Sequence, residues 1–137
     1  MQIRNIENVW GPRMLSILRA VTGLVLWQHG IQKILQFPVS RPGPELYSQI
    51  WFAGMIELIL PPLLIIGLFT RPVAFILAGQ MAFAYWLGHA PRGFFPSVNG
   101  GNLAIMYCFV CLYLAVAGGG PWSLDRVLRR RGENMPG

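Results

Sequence analysis

The chain has 137 residues, of which 54% are hydrophobic and only 12% are charged. A soluble domain of this length needs more charged side chains on its surface, so the composition excludes an ordinary soluble protein and predicts a single-domain membrane protein over residues 1–137. The net charge of +6 does not indicate a nucleic-acid-binding protein, because the basic residues flank apolar segments and form no basic face on a soluble element.

Four apolar segments follow one another along the chain, at residues 14–37, 50–69, 72–88 and 102–118. Stretches rich in Pro and Gly separate them, as expected of loops and turns. Each segment is close to the length of about 20 residues that crosses a bilayer, and the two shorter segments would suit a tilted or closely packed bundle. The pattern predicts an all-α protein, a bundle of four transmembrane helices.

Lys and Arg are distributed unequally between the two ends of this predicted bundle. Four spans place both termini on one side of the membrane. That side holds Arg4, Arg13, Arg71, Arg126, Arg129, Arg130 and Arg131, and the other side holds Lys33, Arg41 and Arg92. Because cytoplasmic loops carry the excess of Lys and Arg, both termini are predicted to be cytoplasmic.

Glu57 is the only charged residue in the second apolar segment. A carboxylate at this depth costs about 2.5–3.5 kcal/mol on insertion scales, so Glu57 needs a polar partner or a functional role. His29 lies at a similar predicted depth on the first segment and Lys33 lies one turn further out, and a pair of Glu57 with either of them would lower that cost. A Glu57–Lys33 pair that only fixes the register of the helices is the structural alternative to a functional site.

Further polar side chains converge on the same outer half of the predicted bundle. On the first segment they occupy a sector of roughly 140° at the helical spacing of about 100° per residue. We assign catalytic roles as proton acceptors to Glu57 and His29, because a His–Glu pair suits proton handling at a reducible ligand such as a quinone. Gln80 is placed deeper, near the middle of the third segment. The candidate ligand-binding residues are Lys33, Gln28, Gln32, His89 and Asn102.

Two other groups of reactive side chains are predicted to have neither a metal-binding nor a redox role. The spacing of His29, His89 and Glu57 matches no metal-binding motif, so no metal site is predicted. Cys108 and Cys111 have C-x-x-C spacing, but they lie in a predicted helix without the strand-to-helix context of a thioredoxin-like motif. We interpret them as packing residues without a disulfide.

Charged residues near the cytoplasmic face are interpreted as structural. Arg19, Arg71 and Asp125 are expected to lie close together there, with Asp125 forming an ion pair with one of the arginines. The tail, residues 122–137, is predicted to form a short basic helix with Ser123 as its N-cap, lying against anionic headgroups.

Several short motifs occur along the chain in a characteristic order. They are Arg19, His29-Gly30 with Lys33, Gly54 with Glu57, Gly67 with Thr70-Arg71, His89 with Gly93-Phe94-Phe95, and Gly118–Gly120 with Ser123-Leu124-Asp125. This order resembles the DoxX family of small membrane proteins over almost the whole chain, about residues 15–125. The resemblance implies a bundle of four transmembrane helices. Many members have an acidic residue where this chain has Asn102, a difference that argues further against a metal site.

The resemblance implies several functions. Members of the family include the membrane subunit of thiosulfate:quinone oxidoreductase and a protein that works in a membrane complex with superoxide dismutase and a sulfurtransferase. Others act as cargo receptors or assembly chaperones, so family membership alone does not select a function.

Our leading hypothesis is a subunit of a membrane redox system in the bacterial cytoplasmic (inner) membrane, which binds a quinone or a similar small molecule. The chain contains no recognisable flavin, haem or iron–sulfur motif, so we expect no intrinsic cofactor. Electrons would come from a partner redox protein, and a homo-oligomer is also considered. The alternatives are a non-enzymatic scaffold or assembly factor, and a transporter of small molecules or metals.

Overall fold

The structure is a computed structural model that describes Arg4 and residues 6–133. Residues 134–137, the end of the predicted basic tail, lie outside the described residues, as do residues 1–3 and 5. Within the described part the chain is helical and contains no strand.

Five helices organise the described chain. They are α1 (Gly11–Leu35), α2 (Gln49–Ile66), α3 (Thr70–Phe83), α4 (Asn102–Ala117) and α5 (Leu124–Glu133). Short helical turns extend two of them: a π-helical turn at Ile6–Trp10 precedes α1, and α3 continues through a π-helical turn at Ala84–His89 into a 3-10 turn at Ala90–Arg92. A one-turn helix at Pro96–Asn99 lies before α4.

The apolar helices make this a membrane protein. Three helical stretches are long and apolar enough to cross a bilayer, at Ile6–Leu35, Gln49–Ile66 and Thr70–Arg92, whereas Asn102–Ala117 is apolar but shorter. Large apolar side chains cover the outside of the bundle, including Trp27, Ile59, Phe75, Phe109 and Val116. A soluble monomer rarely exposes so much contiguous apolar surface, and lipid is the solvent that suits it. An all-α membrane protein is thus confirmed, while four crossings and the side of the termini stay predictions.

The helices pack as two pairs. Helix α1 packs extensively along α2, and α3 along α4, while α2 and α3 pack less extensively and α1 touches α4 only slightly. The core between them contains Leu26, Leu64, Leu77, Cys111 and Leu114, each of them fully buried. Both cysteines carry free thiols. The weak contact between α1 and α4 leaves room between the two pairs.

Helix α2 continues through Pro61 and Pro62 and ends at a glycine. Gly67 has the left-handed conformation with φ 72°, and its N–H donates to the carbonyls of Leu63 and Leu64. A left-handed glycine that recovers the last free carbonyls is the usual way to end a helix. The chain can therefore reverse within three residues and begin α3 at Thr70.

The end of the bundle that holds the start of α1, the turn between α2 and α3, and α5 is here named the terminal end. Arg19, 2% exposed, donates from Nε to the carbonyl of Gly119 at 2.9 Å and from Nη2 to that of Trp122 at 2.8 Å. Its Nη1 donates to the carbonyls of Leu64 and Ile65 in the last turn of α2. A guanidinium with five donors suits such a cluster of acceptors.

The described residues form no salt bridge between Asp125 and either Arg19 or Arg71. The Asp125 carboxylate instead accepts from the backbone N–H groups of Phe69 at 2.7 Å and Thr70 at 2.8 Å, at the start of α3. Arg71 donates to the carbonyls of Ala115 and Val116 at the end of α4. Asp125 and Arg71 bond backbone groups because both lie at helix ends. The free N–H groups at the start of a helix attract a carboxylate, and the free carbonyls at its end attract a cation.

Candidate functional site

Glu57 finds its partners inside the bundle. Lys33 Nζ lies 2.7 Å from Oε2 and 2.9 Å from Oε1, and Gln80 Nε2 donates to Oε1 at 2.8 Å. Glu57 is 1% exposed, whereas the Lys33 side chain is 34% exposed. Of the two partners expected from the sequence, Lys33 therefore forms the pair, and His29 does not. Within residues 6–133 this is the only salt bridge.

The close packing of α1 on α2 positions the ion pair. A Cβ atom at Gly54 would lie 3.2 Å from Lys33 Cβ and 2.8 Å from Ile34 Cδ1, so α1 lies directly on α2 at this point. Gly54 and Glu57 are three residues apart and share one face of α2. The stem of Lys33 therefore rests on Gly54, and its ammonium reaches the carboxylate on the same face.

A cavity of about 200 Å³ lies beside the ion pair, between the two helix pairs. Four of the predicted site residues line it: His29, Lys33, Glu57 and His89. The remaining wall consists of Met81, Ala84, Gly100, Leu103, Ala104 and Tyr107. Leu103 is 60% exposed, so the rim of the cavity is apolar, while the interior offers an ammonium, two imidazoles and a phenol.

A hydrogen-bonded loop holds His89 at the cavity. His89 Nδ1 lies 3.1 Å from the carbonyl oxygen of Asn99. Asn99, 3% exposed, donates from Nδ2 to the carbonyl of Gly93 at 2.9 Å and accepts from the N–H of Gly101 at 2.8 Å. A carbonyl can only accept, so the first contact requires a proton on Nδ1 of His89 and leaves Nε2 as the acceptor of the neutral ring.

Three predicted ligand-binding residues do not line the cavity. Gln28 and Asn102 are exposed, and Gln32 is half-buried outside the cavity wall. Gln28 and Gln32 face away from the cavity because of the helical geometry of α1. Each precedes a lining residue, His29 or Lys33, by one position and so points about 100° away from it. A polar sector as wide as the one on α1 faces both the cavity and the outside, so only part of it lines the cavity.

Two residues with no predicted role, Gln80 and Tyr107, lie at the site in the structure. Gln80 was predicted to lie deeper than Glu57 and was not recognised as its partner, although a lone amide in an apolar helix is a signal for one. Its Oε1 is buried and has no hydrogen-bond partner among the described residues. Tyr107 lines the cavity, but nothing distinguishes it in sequence from the other aromatic residues of α4. No three His, Cys, Asp or Glu side chains in the described chain come together as a metal site.

One family model and several relatives match the chain. Residues 14–90 match the DoxX family. An uncharacterized protein of Haemophilus influenzae is 41% identical over 129 residues, covering 90% of this chain and 96% of that protein. A second uncharacterized protein of that organism is 32% identical over 105 residues, 76% of this chain and 68% of the relative.

A mycobacterial relative is described as a membrane protein. An uncharacterized membrane protein of Mycobacterium tuberculosis is 27% identical over 140 residues, covering 88% of this chain and 85% of its own length. No solved structure matches the chain significantly. The family match covers more than half of the chain, and the first relative matches this chain almost from end to end. The chain therefore belongs to the DoxX family.

Proposed function

We propose that this protein is a subunit of a redox system in the bacterial cytoplasmic membrane, and that its cavity binds the head group of a quinone or a similar small molecule. The proposal includes four membrane crossings with cytoplasmic termini, so the cavity lies in the outer half of the bundle. At a rise of about 1.5 Å per residue, the 16 residues of α4 span roughly 24 Å, enough for a locally thinned bilayer.

The observation that carries the proposal is a buried carboxylate and a half-buried ammonium in the wall of one cavity. Two of the three N–H groups of Lys33 suffice for Glu57, so the third is available to a carbonyl oxygen of a ligand. His29 and His89 line the same cavity, and an imidazole can both donate and accept a proton, so the two side chains suit proton transfer. Reduction of a bound quinone to a quinol requires two electrons and two protons, and a partner redox protein would supply the electrons.

The size of the cavity limits the ligand. Enclosed sites for drug-sized molecules measure about 300–1,000 Å³, and this cavity measures about 200 Å³. It therefore suits a single ring or a compact polar molecule, and not a long isoprenoid tail. The exposed Leu103 at the rim would let such a tail continue along the lipid-facing surface.

Filling the cavity tests the proposal. Ala84 lines it and Ala82, two residues earlier, does not, so Ala84→Leu and Ala82→Leu form a matched pair. The purified variants, in nanodiscs of zwitterionic lipid, are equilibrated with a short-chain ubiquinone analogue, and bound quinone is quantified after extraction. We expect saturable binding that Ala84→Leu weakens by about tenfold, equivalent to about 1.4 kcal/mol, and Ala82→Leu leaves unchanged. Equal effects of both substitutions, or no saturable binding by the wild type, would contradict the proposal.

A non-enzymatic scaffold is the second candidate, and the ion pair itself favours it. Both Glu57 oxygens accept hydrogen bonds from Lys33, and Gln80 adds a third, so the carboxylate is satisfied without a ligand. A double substitution, Lys33→Met with Glu57→Leu, removes both charges together. If the protein is only a scaffold, the wild type shows no saturable quinone binding and this variant keeps the fold. If the site binds the ligand, the variant folds but loses binding.

A further inference from the structure

A second cavity, distant from the ion pair, lies at the terminal end. It is an open groove of about 580 Å³ between α5 and the ends of α3 and α4. Four arginines and two carboxylates line it: Arg71, Arg126, Arg129, Arg130, Asp125 and Glu133. Its volume falls within the range of about 300–1,000 Å³ typical of ligand sites. The groove is therefore large enough for a ligand and carries an excess of positive charge.

The charges of the groove are not balanced within the protein. The Asp125 carboxylate is engaged by the N–H groups of Phe69 and Thr70 at the start of α3. Arg126, Arg129 and Arg130 are exposed and form no salt bridge among the described residues. Free guanidinium groups side by side repel one another, and they suit a phosphate group that accepts two parallel hydrogen bonds from each.

A buried hydroxyl also lines this groove. Thr70 is 0% exposed, and its Oγ1 has no hydrogen-bond partner among the described residues. Gly119 lines the groove beside it, and a Cβ there would lie 2.8 Å from Thr70 Oγ1. An unpartnered buried hydroxyl costs about 1–3 kcal/mol, a cost that an oxygen-bearing ligand would remove. This second observation points to a polar ligand independently of the arginines.

The residues around the groove indicate that the phosphate belongs to a lipid and not to a soluble molecule. Trp122 is 58% exposed, and exposed tryptophans are typical of the membrane–water interface. Helix α5 has its apolar residues Leu124, Val127 and Leu128 at the spacing of one helical face, and all three are exposed. A short helix with one apolar and one arginine-rich face lies in the plane of the interface.

The acyl chains of a lipid would also find an apolar surface below the groove. Phe75 is one helical turn from Arg71 on α3 and is 65% exposed. Val116, whose carbonyl accepts from Arg71, is 76% exposed. We propose that the groove binds the phosphate of an anionic phospholipid, with Arg126, Arg129 and Arg130 on the headgroup and the acyl chains along α3 and α4. This site is separate from the proposed quinone cavity, and neither depends on the other.

The test compares variants of equal net charge. Arg129→Gln with Arg130→Gln removes two arginines from the groove, whereas Arg13→Gln with Arg131→Gln removes two that do not line it. Each full-length protein is reconstituted in phosphatidylcholine vesicles with trace spin-labelled phosphatidylglycerol or spin-labelled phosphatidylcholine. Electron paramagnetic resonance then gives the ratio of the two lipids in contact with the protein. We expect a preference of about fivefold for phosphatidylglycerol in the wild type, and at least about threefold less in the groove variant than in the control variant.

Thr70→Val supplies a second variant that keeps the shape and net charge of the groove. We expect it to lower the phosphatidylglycerol preference while leaving the helix content and melting temperature unchanged, since no protein group bonds the hydroxyl. No lipid preference in the wild type, or equal preferences in the two double variants, would overturn the proposal. Soluble glycerol 1-phosphate that binds as tightly as the lipid would overturn the lipid assignment and indicate a soluble phosphate ligand.

Discussion

Gly30 of α1 lies directly against the backbone of Glu57 in α2. A Cβ atom at position 30 would lie 2.5 Å from both the Glu57 carbonyl oxygen and the N atom of Leu58, closer than real Cβ contacts allow. The obstacle is backbone and not a flexible side chain, so it cannot move away without separating the helices. The same close approach that needs a glycine therefore brings the only ion pair of the described residues into register.

Gly30→Ala should destabilise the fold. The methyl group must push α1 away from α2, and overpacking of this kind costs about 1–3 kcal/mol. Gly79→Ala is the matched control, because a Cβ at Gly79 meets nothing within 4 Å. Alanine is the better helix former by about 1 kcal/mol, so the control should be neutral or slightly stabilised. Thermal unfolding in mild detergent, followed by circular dichroism, measures both, and equal melting temperatures would show that the helices do not meet at Gly30.

Removing one partner of the ion pair should cost more than removing both. Lys33→Met leaves a carboxylate that is 1% exposed with only Gln80 as a partner. Breaking a buried pair in this way costs up to about 3–5 kcal/mol, and the partial exposure of Lys33 reduces that figure. The double variant Lys33→Met with Glu57→Leu should recover most of the loss. A double-mutant cycle of melting curves gives the coupling free energy, and additive effects would mean that the pair does not form.

The sequence predicts Lys33 as one of two possible partners of Glu57, because the depth of a side chain in the bundle follows from its position along a helix. Counting residues places His29 at the depth of Glu57 and Lys33 one turn further out, and of these two possible partners the structure pairs Lys33 with Glu57. The sequence determines less well which way each side chain points around its helix, and Gln28 does not line the cavity. The partners of Asp125 could not be predicted either, because they are backbone groups that become free only where helices end in space.

Asp125→Ala should destabilise the turn between α2 and α3. The carboxylate satisfies two backbone N–H groups at the start of α3, and the loss of such a cap costs about 0.5–2 kcal/mol. Asp125→Asn should cost less, since an amide oxygen still accepts one of these hydrogen bonds. Glu133→Gln is the control, as it removes a carboxylate from an exposed position at the end of α5. Melting temperatures in the order control, Asp125→Asn, Asp125→Ala, from high to low, would support the cap. No difference between Asp125→Ala and the control would exclude it.

Arg19→Lys should also destabilise the terminal end, although the charge is kept. The guanidinium bonds four carbonyls from α2 and the segment after α4. A lysine has three N–H donors on one atom and cannot reproduce that spread, so at least one buried carbonyl loses its partner at about 1–3 kcal/mol. Arg13→Lys is the control, because Arg13 is exposed on the same helix. A melting temperature of Arg19→Lys equal to that of the control would mean that charge alone suffices there.

Labelling of single-cysteine variants tests the predicted orientation of the protein in the membrane. Ser40 lies in the loop between α1 and α2, and Gly132 lies near the end of α5, both exposed. In a background with Cys108→Ala and Cys111→Ala, the variants Ser40→Cys and Gly132→Cys are treated with an impermeant maleimide in intact spheroplasts. The excess of Lys and Arg at the terminal end predicts that this end is cytoplasmic, so only position 40 should be labelled. Position 132 should become reactive after permeabilisation. Labelling of position 132 alone in intact cells would reverse the orientation and place the ion-pair cavity in the cytoplasmic half.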